Sequence, residues 1–303
     1  MLSRRSFFIT PLLVAACNRT PAHQRVDPAL APLIPADTTA LAGIRIDNLK
    51  KTPAWEKLFP ANSATPFDSF EKRTGMDLRN TLYEVVYCLG GKHPVALVRG
   101  KFVDGGPNNS GMEPNLKLEG AQKLPYKGLS LIGKEEAAVT FFNSSVAAAG
   151  PAASLRALID ARDLKNTIPE GLLSMVDALP FEAQVYLVSD RPNIPEQGIG
   201  GLKSLPLNLK SVNSYIDFRV GATFHADVET ASDADAKKLI EGIKGMSALL
   251  RMTVKPGQNQ MLGLIDSIQF YQEGAHAKGQ AEIPLDLVID GIKSLDSRSS
   301  QLV

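Results

Sequence analysis

Apolar and polar positions change period several times along the chain, and each change marks an element. Residues 40–46 (Ala-Leu-Ala-Gly-Ile-Arg-Ile) alternate as a strand does. Trp55, Leu58 and Phe59 mark a short helix after Pro53, and helical spacing resumes over 67–82. Two apolar runs, 83–89 and 94–102, flank Gly90-Gly91 and predict a hairpin. Residues 104–123 concentrate Gly, Pro and Asn and read as a long exposed loop. Further on, 211–218 and 220–229 alternate and suit an antiparallel pair. Ser232 and Asp235 then make a capping-box-like start. Ala236, Leu239, Ile240, Ile243, Met246, Leu249 and Leu250 follow at helical spacing, one apolar face suited to a sheet.

Some of these patterns recur. Leu172 to Leu179 matches Met261 to Ile268 at an offset of 89, and Ile194-Pro195 returns as Ile283-Pro284 at the same offset. Gly201-Leu202-Lys203-Ser204-Leu205 returns as Gly291-Ile292-Lys293-Ser294-Leu295 at 90. Leu155 and Ile159 fall on Leu239 and Ile243 at 84, as does the strand at Ala138 on that at Ala222. Matches in one order indicate an internal duplication. The expected fold class is therefore α+β, an antiparallel sheet with helices packed on one face. Residues 38–125 form the first α+β segment, with 126–209 and 210–303 as the two repeat copies. The first segment has related strand–helix–helix–strand content and suggests a third, more diverged copy.

The N-terminus has a different character. Met1 to Thr10 read MLSRRSFFIT and continue into PLLVAAC: a basic start, a short apolar stretch, then small residues. That is the layout of a secretory signal, and Phe7–Val14 is too short to span a bilayer. Val14-Ala15-Ala16-Cys17 resembles the lipobox of bacterial lipoproteins. The resemblance implies cleavage before Cys17 and a diacylglycerol on its thiol, so membrane lipid is an expected partner. Ser3-Arg4-Arg5-Ser6-Phe7-Phe8 resembles the twin-arginine export motif, which assigns signal recognition to Arg4 and Arg5. Asn18, rather than aspartate, follows the cysteine and favours the outer membrane. Residues 18–37 carry four prolines and read as a tether that reaches up to roughly 60 Å. Pro35–Ala40 and the α+β layout together loosely resemble uncharacterised bacterial envelope proteins, a resemblance that supplies no activity.

Composition narrows the functions. The 303 residues are 44% hydrophobic and 21% charged, with a net charge of +1. Loss of residues 1–16 removes two arginines and leaves 31 basic against 32 acidic residues. Such a balance lacks the basic surplus that nucleic-acid binding requires. Cys17 and Cys88 are the two cysteines, so acylation of Cys17 leaves Cys88 unpaired. Its setting, Val85-Val86-Tyr87-Cys88-Leu89, reads as a buried strand in which the thiol is a small core hydrophobe.

Candidate chemistry is sparse. His23 falls in the tether. His225 and Asp227 lie two apart on a strand, hence on one face, and His276 completes a weak candidate metal set. Gly198-Ile199-Gly200-Gly201-Leu202-Lys203-Ser204 has the wrong spacing for a phosphate loop. Glu135-Glu136 sits at a hairpin turn, where adjacent carboxylates point apart. Asn143-Ser144-Ser145 is a strand end, and no Gly-x-Ser-x-Gly turn occurs. The sequence therefore points to no catalytic residue and no cofactor. It favours a lipid-anchored module facing the periplasm that binds an envelope partner or serves a structural role. The alternatives are an envelope enzyme with a dispersed site and a carrier of an apolar ligand between sheet and helices.

Overall fold

The computed structural model describes residues 26–60, 77–102, 122–162, 169–181, 183–192, 208–254, 257 and 259–290. The strands in chain order are β1 (Ala40–Arg45), β2 (Leu82–Leu89), β3 (Val95–Gly100), β4 (Gln122–Tyr126), β5 (Leu129–Gly133) and β6 (Ala138–Asn143). They continue with β7 (Val146–Gly150), β8 (Val185–Ser189), β9 (Leu209–Asp217), β10 (Thr223–Thr230), β11 (Gln269–Glu273) and β12 (His276–Glu282). All twelve join one sheet in the order β11-β12-β10-β9-β8-β1-β2-β3-β7-β6-β5-β4, and every neighbouring pair is antiparallel. The helices are α1 (Ile46–Leu49), α2 (Pro53–Leu58), α3 (Leu78–Thr81), α4 (Ala152–Ala161), α5 (Glu170–Ala178), α6 (Asp233–Thr253), α7 (Asn259–Ser267) and α8 (285–290).

The central strands bury both faces, so the sheet is covered on both sides. Leu41, Val86, Cys88, Leu97, Ala148, Tyr186 and Val188 point to one face, under α4, α5 and the segment 26–34. Ile44, Val85, Val98 and Ala147 point the other way. On that second side Ile46, Trp55 and Phe102 complete one cluster, while α1, α2 and α8 pack on Val185 and Ile216 in the next. Helix α6 lies on the second side too, because its Leu239 and Ile240 meet Val228, Ala277 and Phe270. The mixed α+β, antiparallel class is as expected, but the helices occupy both faces rather than one. Strand β2 buries Val86 and Cys88 on one face and Val85 on the other, so both faces need cover, and only Tyr87 and Leu89 toward its far end are exposed.

The structure does not show the internal duplication. Helix positions do correspond: Leu155 and Ile159 lie in α4 and Leu239 and Ile243 in α6, while α5 and α7 carry the next match. The strands do not. Ala138 opens β6, the first strand of its hairpin, whereas Ala222 precedes β10, the second strand of its own. The crossover from β7 to β8 passes three strands and that from β10 to β11 passes one. Both run the same way along the sheet but on opposite faces, so they have opposite hands, and one departs from the right-handed rule.

Three boundaries also move. The tether was expected to end at residue 37, yet Val26, Leu30, Ala31 and Ile34 are buried in the main core. Proline suits the short 3-10 helix Ala31–Leu33, and the apolar residues around it give the segment a face to bury. The loop expected over 104–123 ends earlier, since β4 begins at Gln122, and the helix expected over 67–82 gives way to β2 at Leu82. The signal sequence with Arg4, Arg5 and Cys17, the residues 18–25, His23 and the Gly198–Ser204 segment lie outside the described residues. So do Ile194-Pro195, Gly291–Leu295 and most of the long loop.

If 26–34 is core rather than tether, truncation there is costly. Leu30→Ala should destabilise the protein by about 2–5 kcal/mol in urea denaturation. A pure tether position would lose nothing.

Candidate functional site

The second face of β10 and β12 carries an apolar cavity of about 260 Å³ beneath α6. Strand β10 reads Thr-Phe-His-Ala-Asp-Val-Glu-Thr, so Phe224, Ala226 and Val228 face α6 while His225, Asp227 and Glu229 face away. The opposing pairs are small: Ala226 faces Gly279, Val228 faces Ala277, and Phe224 faces Ala281. Alanine and glycine at these positions leave the sheet too low to fill the space under Leu239, Ile240 and Ile243. Ile268 and Phe270 close another wall. Lys278 and Gln280 border the cavity through their backbone, since alternation sends their side chains to the other face.

Apolar walls hold water poorly, and smaller apolar cavities stay dry and accept hydrocarbons. The volume has room for a chain of roughly eight heavy atoms, taking each at about 30 Å³. Nothing in the lining supplies a charge or a nucleophile, so the cavity can hold a ligand by burial and shape alone.

The first face of the same strands is polar, and no described helix packs on it. It holds the three residues considered for a metal. His276 Nδ1 lies 2.8 Å from Asp227 Oδ1. Lys278 Nζ approaches Asp227 at 3.9 Å and also pairs with Glu273. His225 does not join them: its ring stacks on Tyr215, 4.6 Å between centroids and 15° from parallel. Burial holds the His225 pKa below its ordinary value, against the weaker opposing pull of Asp217. Asp217 is itself engaged by Arg219, which keeps its carboxyl below the usual range. Among the described residues no group of three His, Cys, Asp or Glu side chains is arranged for a metal ion. The remaining sequence candidates have structural partners. Glu135 takes a two-pronged contact from Arg156, and Asn143 Oδ1 accepts from the Ser145 backbone at 2.8 Å. Cys88 is a free, buried thiol whose pKa burial pushes up to about 12, so it is not a nucleophile.

A charged row missed by sequence reading crosses the first face at the start of β2. Arg45, Glu84 and Arg99 stand opposite one another on β1, β2 and β3. The Arg45 guanidinium lies over the Tyr186 ring at 4.8 Å and donates to Ala183 O. That ring crosses Gly43, where a Cβ would sit 2.0 Å from Tyr186 Cζ, so only glycine fits. Asp27 closes the row: its backbone N–H donates to Glu84 Oε2 at 2.9 Å and its carboxylate accepts from Arg99 at 3.2 Å. The row thus pins the entering chain to the sheet. The charges at 45, 84 and 99 interrupt apolar strands, and that interruption was the available signal. Burial, against the hydrogen bond from Asp27 and the charge of Arg45, raises the Glu84 pKa to about 7.

The fold and cavity define a mixed α+β protein built on a single antiparallel sheet, with helices on both faces and an apolar space between one helix and the sheet. Among solved structures, crystal form III of TP0453 resembles it with a TM-score of 0.54 at 10% identity, covering 87% of this chain and 97% of that one. Crystal forms I and IV of TP0453 give TM-scores of 0.47 and 0.45, at 10% and 11% identity, over 88% and 86% of this chain and 96% and 95% of those chains. The similarity to form III is one of fold. A scan against protein-family models finds no match, and a search of curated proteins finds none either. Among the described residues no helix is long and apolar enough to cross a membrane.

The raised Glu84 pKa fixes a sign. The carboxyl titrates near 7 when folded and near its ordinary 4.5 when unfolded, so the neutral form favours folding. Its contribution is complete below the unfolded value and is lost as pH rises through 7. Urea denaturation should show stability falling by roughly 1–3 kcal/mol from pH 5 to pH 8 on this account, and Glu84→Gln should flatten that fall.

Proposed function

We propose that this chain is an envelope lipoprotein whose folded part is a binding module, not an enzyme, and that its ligand is an alkyl chain held between α6 and the sheet. On this reading residues 1–17 direct export, with Arg4 and Arg5 read by the twin-arginine route. Cys17 is acylated, and the module faces the periplasm, with the outer membrane favoured by Asn18. The apolar cavity is the observation that carries the reading. Its walls are hydrocarbon, and its size, near the lower end of small-molecule sites, suits one chain rather than a whole lipid. The alkyl chain gains affinity from burial, at about 0.8 kcal/mol per methylene removed from water. The polar pairs on the opposite face serve solubility and hold β10 to β12.

Two acyl chains on Cys17 give stable anchoring where one would be marginal. Cys17→Ser should abolish acylation and membrane retention, and unchanged detergent partitioning of that variant would contradict the anchor. For the cavity, the fluorescent probe N-phenyl-1-naphthylamine should bind saturably. Ala226→Phe, which fills the space from the sheet side, should weaken that binding by about tenfold or more, equivalent to about 1.4 kcal/mol. Equal binding by the filled variant would remove the cavity from the account.

A further inference from the structure

Exposed apolar side chains are not spread evenly over the molecule. Ten large hydrophobic residues are exposed among those described, and six of them gather at one end of the strands. Phe181 precedes β8, and Val220 is fully exposed in the β9–β10 turn. Leu249, Leu250 and Met252 lie in the last turns of α6, and Met261 lies in the first turn of α7. The registers put these at the same strand ends. Strands β8, β10 and β11 begin there, and β9 and β12 end there.

Helix length explains the cluster. Helix α6 starts at the far end, where Ser232 caps it by accepting from Asp235 N at 3.2 Å. Its buried residues are Ala236, Leu239 and Ile240, all in the first half. At 1.5 Å per residue the helix is about 32 Å long against about 26 Å for the eight residues of β10, so its last turns overrun the sheet, and none of its residues from Ile243 to Thr253 is buried. Helix α7 turns back beside it, tied by Arg251 to Asp266, and has no buried residue of its own. The two helices leave Leu249, Leu250, Met252 and Met261 in water at this end.

The chain enters the fold at the same strand ends. Asp27 is fixed beside Glu84 and Arg99, where β2 begins and β3 ends. Eight residues separate Cys17 from Val26, and fully extended the nine steps span at most about 32 Å. This end of the sheet is therefore the part of the fold nearest to an acylated Cys17 along the chain.

We propose that this end is a membrane-contacting surface, with Leu249, Leu250 and Met252 entering the interfacial layer of the bilayer that carries the anchor, and Phe181 and Val220 beside them. The choice of the bilayer as occupant rests on the Cys17 reading. The cavity lining reaches Ile243 and Ile268, where α6 and α7 leave the sheet, so contact brings the ligand space next to its source of alkyl chains. Interfacial binding of this kind scales with the apolar area buried.

The test uses the chain from residue 17 onward carrying Cys17→Ser, floated with vesicles of phosphatidylethanolamine and phosphatidylglycerol. The unacylated protein should co-float, and Leu249→Asn with Leu250→Asn and Met252→Asn should cut the bound fraction at least tenfold, with the thermal transition kept. Val220→Ser alone should cut it less, while Leu187→Ser, in the middle of β8, should leave it unchanged. The proposal is overturned if the parent stays with the soluble fraction or if the triple variant floats equally. It is also overturned if sizing shows that the triple change converts a dimer to a monomer, which would make a second copy the occupant. Because the protein tested has no acyl group, failure here is separate from failure of the Cys17 reading, which acylation of the wild-type chain decides.

Discussion

Two-sided burial of the central strands is the constraint on which the rest of the structure depends. In β1, β2, β3 and β7 consecutive residues are apolar, so neither face of that part of the sheet can stay in water. Helices α4 and α5 and the entering segment close one side, and α1 and α2 close the other. The same demand explains why residues 26–34 are drawn out of the expected tether. Leu30 and Ile34 join the buried cluster that holds Leu41, Val86 and Leu97. Asp27 fixes their direction by donating to Glu84 and accepting from Arg99.

Toward β9–β12 the constraint relaxes to one face. Strand β10 alternates cleanly, with Tyr215 and His225 stacked on the polar side and Phe224, Ala226 and Val228 on the other. One helix now covers the apolar side, and alanine and glycine opposite Ala226 and Val228 leave it short of contacts. The result is a cavity beneath α6 and a second half of that helix with no buried residue. The small residues account for the cavity, and the last turns of a helix about 32 Å long overrun strands of roughly 17–30 Å.

Much of this was legible in sequence because the signals are local. The Ala40–Ile46 alternation, the Gly90-Gly91 hairpin and the Ser232 cap each specify an element from a few neighbouring residues. The faces were not legible. Whether Val85 and Val86 both find cover depends on segments far away in the chain, and offsets near 84–90 matched helices without testing which strand of a hairpin they follow. The weak metal set failed for the same reason. His225 and Asp227 do share a face with His276, but Tyr215, from the neighbouring strand, takes the His225 ring. The cavity left a faint trace in the small residues of β12, Ala277, Gly279 and Ala281, which meant nothing until α6 was seen to lie over them. The charged row was marked by Arg45, Glu84 and Arg99 within apolar strands, without any indication that they align.

The central claim is that the space between α6 and the sheet is a ligand site. Methyl-labelled NMR, following Ile240, Ile243 and Ile268 while a medium-chain fatty acid is added, tests it most directly. The account predicts saturable shifts at these three methyls, with Ile34 and Ile159, in the core on the opposite face, unmoved. Shifts spread evenly over all five, or none at saturating ligand, would contradict it.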